Sequence, residues 1–343
     1  MTLELSKRRF NILKSGADTQ KKKKLASYFL TGKRRGDKIF STGTVCAAGY
    51  TLLMVALVVY AVGNGSAKIF SFEGISFFTG TNWNPVEGRE SFGALPYIVG
   101  TLVTSAIAMA IGVPISLGIA IFLSELSSPK ISTPLSFVIE LLAAVPSIIF
   151  GFWALFVFRF WILDLIENPL YKTFGGYIPF FGQAPFGLDV FTAGIVLAIM
   201  IIPIVSSISR EVMKAVPNSQ REAAYSLGAT RWETVRFAIF PYVKSGLLGA
   251  AMLGLGRAVG ETMLVTLIIG NAIGASAIPS SLFSPSQTLS SLIANEFNEA
   301  SSDLHLSALI GLGAVLLILT LAINIGARLL VSKMVKVSPG VRE

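Results

Sequence analysis

Six long apolar runs constrain this chain more than any other feature of its sequence. They lie near residues 41–63, 95–123, 135–158, 190–209, 246–270 and 304–330. A helix needs about 20 mostly apolar residues to cross a membrane. The runs are continuous rather than alternating, which disfavours a β-barrel. The sequence therefore predicts an all-α integral membrane protein with six transmembrane helices.

The composition supports the same fold class. The 343 residues are 53% hydrophobic and 14% charged, against about 25% charged residues in soluble domains. Pro146 and two other prolines lie inside apolar runs, where membrane helices tolerate them. The single cysteine and the single histidine, His305, exclude an internal disulfide and nearly exclude multi-histidine metal sites. We expect no metal site here, and we expect His305 to cap or line the outer end of the last helix.

Lysine and arginine placement predicts the orientation of the chain in the membrane. With the N-terminus inside, the four inner segments hold 23 basic residues and the three outer loops hold 4, so both termini are predicted to be cytoplasmic. Residues 1–40 form a basic tail with 12 basic and 3 acidic residues. We interpret it as a topology signal near anionic lipid, not as a nucleic-acid-binding arm. The predicted six-helix transmembrane domain is 41–330, followed by a C-terminal tail at 331–343.

A polar hairpin interrupts the apolar pattern between the fourth and fifth runs. The stretch NSQREAAYSLGATRWETVRFAIFP contains two S/T-x-x-E patterns, Ser219 with Glu222 and Thr230 with Glu233. Each is the pattern of a capping box, which begins a helix. Within the cytoplasmic segment 210–245, the sequence therefore predicts two short helices joined by a turn.

The turn and the surface of this hairpin follow from four further residues. Gly228 suits the left-handed position after the first helix, and Pro241 is expected to end the second. Ala223 and Ala224 are small, so another surface can approach closely. An apolar patch is expected from three residues: Leu227, Trp232 and Val235. Such a hairpin either docks in a groove of a partner protein or lies on the lipid surface.

The hairpin resembles the EAA loop of ABC-transporter permeases. Glu222-Ala223-Ala224, Gly228 and Pro241 have the spacing of that pattern, while Ala238 and Phe240 are mild departures. The resemblance implies a type I ABC importer permease-like fold. It also implies that the hairpin carries the motion of an ATPase subunit to the membrane, with Glu222, Ala223, Ala224, Gly228 and Pro241 as coupling residues.

Further stretches resemble the PstC-type permease of the phosphate importer. They include FFTGTNWNP at 77–85, IELLAAVPSIIFGFW at 139–153 and GLGRAVGETMLVTLIIGN at 254–271. The resemblance implies a prokaryotic plasma-membrane protein that transports phosphate. It implies three kinds of protein partner: a PstA-like second permease, a PstB-like ATPase dimer and a PstS-like extracytoplasmic phosphate-binding protein. No P-loop pattern occurs in the chain, so the ATP and magnesium cofactors are expected in the partner ATPase and the chain is not expected to be an enzyme.

Arg257 and Glu261 are the strongest candidates for the substrate path. They are four residues apart inside the fifth run, so they are expected to share a helix face and to pair. A guanidinium matches phosphate oxygens, and an arginine within a membrane helix is a functional candidate by default. The same pair could instead be a structural ion pair between helices. Small residues at four-residue spacing, from Gly246 to Ala258, predict either a subunit seam or ordinary bundle packing.

Three residues of the third run are candidates for a gate. Glu140 is expected near the cytoplasmic end of the third helix, where it could reach the interface or bond to a neighbouring helix. Pro146 and Ser147 could let that helix bend.

Two other functions remain open at this point. One is an ABC permease for another oxyanion, such as sulfate or molybdate, because the EAA loop fits either. The other is an ion-coupled secondary transporter that works alone, although no inverted repeat is visible. A membrane enzyme is disfavoured, because no nucleophile–base or metal constellation occurs.

Overall fold

The computed structural model describes the backbone of residues 2–334 and the side chains of residues 36–329. The chain forms two compact units, Met1–Ala61 and Val62–Glu343. Helix α1 (Thr2–Glu73) contains the apolar window of the first span, and none of that window is buried within the described residues. Most of the predicted basic tail at 1–40, and all of the C-terminal tail at 331–343, lie outside the described side chains.

Nearly all of the described chain is helical. The α-helices are α1 (Thr2–Glu73), α2 (Ser76–Thr79), α3 (Leu95–Ile121), α4 (Pro129–Ala143), α5 (Ser147–Trp153), α6 (Arg159–Ile162), α7 (Asn168–Phe174), α8 (Val190–Lys214), α9 (Asn218–Ser226), α10 (Arg231–Thr234), α11 (Phe240–Gly260), α12 (Met263–Ile268), α13 (Leu289–Glu296) and α14 (Asp303–Met334). Four π-helical turns extend or join them: Phe122–Leu126, Ala154–Phe158, Leu163–Glu167 and Val235–Ile239. Three 3₁₀ turns are Pro179–Phe181, Gly274–Ala277 and Phe297–Glu299. Two short antiparallel strands, β1 (Trp83–Asn84) and β2 (Ser91–Phe92), pair Trp83 with Phe92.

Six helical segments of the described chain are long and apolar enough to cross a membrane, as the sequence predicted. They are Gly36–Glu73, Leu95–Leu126, Ser147–Phe174, Val190–Lys214, Arg231–Gly260 and Asp303–Leu329. The agreement with the predicted runs is close for the second, fourth and sixth spans, and the third and fifth spans differ.

The third span begins later than the predicted 135–158. Helix α4 ends at Ala143, and Pro146 then stands in an extended conformation before α5 begins at Ser147. Proline has no N–H and disfavours a helical residue before it, so the helix breaks there rather than bending. Residues before the break, including Glu140, belong to a separate helix and not to the third span.

The fifth span is shifted in the opposite direction from the predicted 246–270. It begins at Arg231, passes through Pro241 and ends at Gly260. The expectation that Pro241 ends the hairpin's second helix was wrong. A π-helical turn at Val235–Ile239 precedes the proline, and a widened turn relieves the carbonyl clash that a proline ring makes inside a regular α-helix.

Helix α8 is the centre of the second unit and packs against α3, α11 and α4. Its apolar window is 61% buried, more than that of any other span. The small residues of α11 face it: a Cβ added at Gly246 would lie 2.5 Å from Val212, and one at Gly254 would lie 2.5 Å from Val205. The predicted small-residue stripe is therefore packing within the chain, and the seam that it forms is with α8.

Candidate functional site

The predicted hairpin exists, and its turn has the expected geometry. Helix α9 ends at Ser226, and Gly228 has φ +82, the left-handed conformation that glycine adopts without strain. The N–H of Gly228 donates to the carbonyl of Tyr225 at 2.9 Å, and that of Ala229 donates to Ala224 at 3.1 Å. These bonds close the end of α9, so the turn prediction is confirmed.

The two predicted capping boxes have different outcomes. The second is confirmed: Glu233 accepts a hydrogen bond from the Thr230 N–H at 2.8 Å, and the Thr230 hydroxyl accepts one from the Glu233 N–H at 3.4 Å. The first is wrong. Helix α9 begins at Asn218 directly after Pro217, and no side chain caps it. Ser219 already lies inside the first turn, because proline fixes a backbone angle that starts the helix earlier.

An arginine tethers the base of the hairpin to the end of the second span. Arg221 donates to Glu125 twice, from Nε to Oε2 at 3.1 Å and from Nη2 to Oε1 at 2.8 Å. It also donates to the carbonyls of Val216 at 2.6 Å and Met213 at 2.9 Å. Hydrogen bonding to Glu125 raises the pKa of the Arg221 guanidinium above its ordinary value. The sequence analysis did not predict this anchoring role of Arg221.

The tip of the hairpin presents apolar side chains to the outside of the chain. Leu227 is 89% exposed, and Trp232 is 57% exposed. Glu222 and Ala223 are exposed beside them, and Ala224 is half-buried. The apolar patch is smaller than predicted, because Val235 is only 2% exposed and is not part of it. It packs in a cluster with Met213, Val216, Ile239, Val243 and Leu247.

The structure does not form the predicted Arg257–Glu261 ion pair. Helix α11 ends at Gly260, and Glu261 is extended with φ −71 and ψ 127, so the two residues do not share a helix face. The Glu261 carboxylate instead lies near the Leu264 N–H, at 3.4 Å. Arg257 is exposed at the end of the helix. Among the described residues it has no ion pair or hydrogen bond, so its place on the substrate path remains a prediction.

The residues proposed for a gate lie where α4 meets α5. Glu140 is on α4, not in the third span, and its Oε1 accepts from Arg210 Nη2 of α8 at 2.9 Å. Pro146 and Ser147 form the break between the two helices. A bond from Glu140 to a neighbouring helix was expected and is present, whereas the expected bend is a break between two helices. The gating role of these residues stays a prediction. Arg210, 8% exposed, was not predicted.

On the side of the bundle opposite the hairpin, a buried polar cluster joins the strands to α14. Glu296 Oε2 accepts from Trp83 Nε1 at 2.8 Å and lies 2.9 Å from His305 Nε2. The ring of His305 also stacks on Phe92 with a centroid separation of 5.7 Å. His305 is 3% exposed and lies in the first turn of α14, so it lines that end as predicted. Its partners could not be read from sequence spacing.

A second buried polar cluster lies at the start of α8. Asp189 and Glu167 are both fully buried, and both bond to Thr192. Burial, with the nearby Glu167 carboxyl, raises the pKa of Asp189 to about 8. The signal for Asp189 was available, because an aspartate directly before an apolar run is a preferred residue for capping the start of a helix.

Comparison with known proteins assigns the chain to a family. Residues 112–336 match the model for the inner membrane component of binding-protein-dependent transport systems. The chain belongs to that permease family. A phosphate transport system permease protein PstC of Pasteurella multocida (strain Pm70) is 47% identical to this permease over 301 residues, covering 87% of this chain and 92% of the relative. The PstC protein of Haemophilus influenzae (strain ATCC 51907 / DSM 11121 / KW20 / Rd) is 46% identical, covering 87% and 94%.

The permease also has distant likenesses among solved structures. The inward-facing MetNI methionine ABC transporter is 17% identical, with a TM-score of 0.48 over 71% of this chain and 95% of that chain. The resemblance to PstC-type permeases, carried by FFTGTNWNP and the other quoted stretches, is confirmed by these relatives. The family is one of transport permeases, not of enzymes.

Proposed function

We propose that this permease is the PstC-type subunit of an ATP-driven phosphate importer. The observation that carries the proposal is the hairpin, whose base is tied into the chain while its apolar tip is exposed. The names of the relatives at 46–47% identity support phosphate as the substrate.

The orientation of the hairpin follows from the placement of charge around the observed spans. In this proposal the six spans cross the membrane in alternation. The sequence segments that this topology assigns to the hairpin side then hold 11, 1, 1 and 3 basic residues, and the other segments hold only Arg89. By the positive-inside rule, the hairpin side faces the cytoplasm. There the hairpin meets an ATPase dimer, and the strand-bearing side meets the extracytoplasmic binding protein.

In this proposal the hairpin transmits force through its tether. ATP binding to the partner subunits moves the tip, where Leu227 and Trp232 insert into a groove. The bidentate bond between Arg221 and Glu125 then passes the displacement to the end of the second span. An arginine–carboxylate pair with two bonds resists rotation better than a single contact, so the hairpin and the span move together.

The substrate path is proposed to run past Arg257 at the interface with a second permease. Arg257 is exposed on this chain, and an unpaired arginine in a membrane is costly. A second permease that covers this face, and an anion that passes through it, would compensate the charge. Arg257 offers phosphate oxygens rigid donors, while the nearby Glu261 repels the anion and keeps its binding weak.

Phosphate uptake by the Arg257→Gln variant tests the proposal. The host lacks its own phosphate importer and receives the partner subunits from the same source. Wild type is expected to take up phosphate in preference to sulfate and molybdate, and the variant is expected to lose uptake at normal protein level. Arg328→Gln, an exposed arginine on α14, is the matched control. Uptake of sulfate or molybdate instead of phosphate would reassign the substrate, and wild-type uptake by the variant would remove Arg257 from the path.

A further inference from the structure

A cavity of about 340 Å³ lies between α4 and the last turns of α8, on the hairpin side of the bundle. Its polar lining consists of Ser132, Thr133, Ser136, Glu140, Arg210 and Lys214. Lys214 is the last residue of α8, so the cavity lies three residues before Pro217 and the start of the hairpin. This cavity has no role in the transport mechanism proposed above.

Arg210 gives the cavity a buried cation with unused donors. Its Nη2 donates to Glu140 at 2.9 Å and to Glu211 at 3.0 Å. The residue is only 8% exposed, and its buried Nε has no hydrogen-bond partner among the described residues. A buried donor without a partner is rare in native proteins, because it loses its bond to water without a replacement.

The other lining groups add further donors around this cation. None of the hydroxyls of Ser132, Thr133 and Ser136 has a hydrogen-bond partner among the described residues, although Ser136 is 8% exposed. Lys214 is half-exposed and lies 3.6 Å from Glu211 Oε1. The cavity therefore gathers three hydroxyls, an ammonium and a guanidinium around one volume, which is a donor set suited to a tetrahedral oxyanion.

We propose that this cavity binds a phosphate group on the cytoplasmic side of the permease. Two carboxylates, Glu140 and Glu211, balance the two cations, so binding is weak and exchangeable. Glu140 can accept a hydrogen bond from a protonated phosphate oxygen. The group can belong to inorganic phosphate, a source that rests on the proposed function and orientation, or to an anionic lipid headgroup. Ile131 and Phe137 of α4, 52% and 61% exposed, place apolar surface beside the cavity where lipid chains would lie.

The first test measures binding of radiolabelled inorganic phosphate to the permease assembled with its partner subunits, without the binding protein. The complex is held in phosphatidylcholine nanodiscs with no ATP. Lys214→Gln removes one cation and leaves both bonds of Arg210 to the carboxylates. We expect it to weaken phosphate binding at least about fivefold, as for a lost charge-assisted hydrogen bond. Lys130→Gln, at an exposed lysine of α4 that does not line the cavity, should leave binding unchanged.

A second arm distinguishes the two sources of the phosphate group. The melting temperature of wild type, Lys214→Gln and a Ser132→Ala/Ser136→Ala variant is compared in nanodiscs with and without phosphatidylglycerol. If phosphatidylglycerol raises the melting temperature of wild type but not of the variants, the cavity binds a lipid headgroup. If the variants instead weaken the binding of inorganic phosphate, the cavity binds the free anion. If neither ligand distinguishes wild type from the variants, the inference is overturned. Phosphate uptake by the wild-type complex is measured in parallel. If the complex transports phosphate but the cavity binds neither ligand, this inference fails while the proposed function stands.

Discussion

The base of the hairpin and the end of α11 each carry an arginine, yet the surroundings of the two arginines differ completely. The Arg221 side chain is 16% exposed and makes two bonds to Glu125, whose side chain is 7% exposed. Arg257 is exposed, and no described residue pairs with it. The first arginine is satisfied inside the chain and so fixes the fold. The second is left for another chain or for the substrate.

The difference separates effects on stability from effects on function. Removing one partner of a buried ion pair leaves an uncompensated charge and costs about 3–5 kcal/mol. Removing an exposed charge that has no partner changes stability little. Substitutions at the two regions should therefore give opposite patterns, and four predictions test this contrast.

Among the substitutions that remove a charge, the largest effect on stability is expected from Glu125→Gln. The change leaves the Arg221 guanidinium without a carboxylate beside the base of the hairpin, so we expect a loss of about 3 kcal/mol. Thermal unfolding of the purified complex measures it. Glu222→Gln, at an exposed neighbouring glutamate, should leave the melting temperature unchanged. An unchanged melting temperature in Glu125→Gln would show that the tether does not hold the hairpin.

The next effect is on partner binding and not on the fold. Leu227→Asp places a charge on a side chain that is 89% exposed, so the melting temperature of the isolated permease should not change. If the tip docks in an ATPase groove, the charge should weaken association by about 2 kcal/mol, roughly thirtyfold. Titration with purified ATPase subunits measures this affinity. Val235→Asp, at a buried position, is the control and should unfold the region. If both variants lost affinity and stability to the same extent, Leu227 would not be a contact with the ATPase subunit.

A smaller effect is expected at the turn. Gly228 has φ +82 with no atom within 4 Å of the place where a Cβ would lie, so the cost of substitution is backbone strain alone. Gly228→Val should lower the free energy of unfolding by about 1–2 kcal/mol. Gly228→Asn should cost less, because asparagine tolerates the left-handed region. Chemical denaturation compares the two. Equal costs would show that the turn relaxes and that its conformation is not required.

Much of this architecture could be predicted from local sequence signals. The apolar runs predicted the six spans, and the Thr230–Glu233 spacing predicted a helix start. Both features depend on residues that are close in sequence. The breaks at Pro146 and Glu261 and the passage through Pro241 could not be predicted as securely. Whether a proline ends a helix depends on the turn before it, and a π-helical turn has no simple sequence pattern.

The tertiary partners of charged residues were the least predictable part of the site. Arg221 and Glu125 are 96 residues apart, and Arg210 and Glu140 are 70 apart. Arg257 and Glu261 were predicted to pair because residues four apart share a face of a helix. Sequence spacing gives no such signal for residues that are far apart along the chain. The Arg257 and Glu261 side chains would share a face only if α11 continued to Glu261, but the helix ends one residue earlier.

The smallest effect on stability is expected from Arg257→Gln, the variant expected to lose transport. Because Arg257 has no bond to any described residue and is exposed on this chain, its replacement should change the free energy of unfolding of the isolated permease by less than about 0.5 kcal/mol. Thermal unfolding beside Glu125→Gln gives the direct contrast. A loss as large as that of Glu125→Gln would mean that Arg257 finds a partner within the chain in the membrane. Its effect on uptake would then report on folding and not on the path of the anion. Full stability with lost uptake leaves contact with the anion, or with the second permease, as the remaining physical explanation.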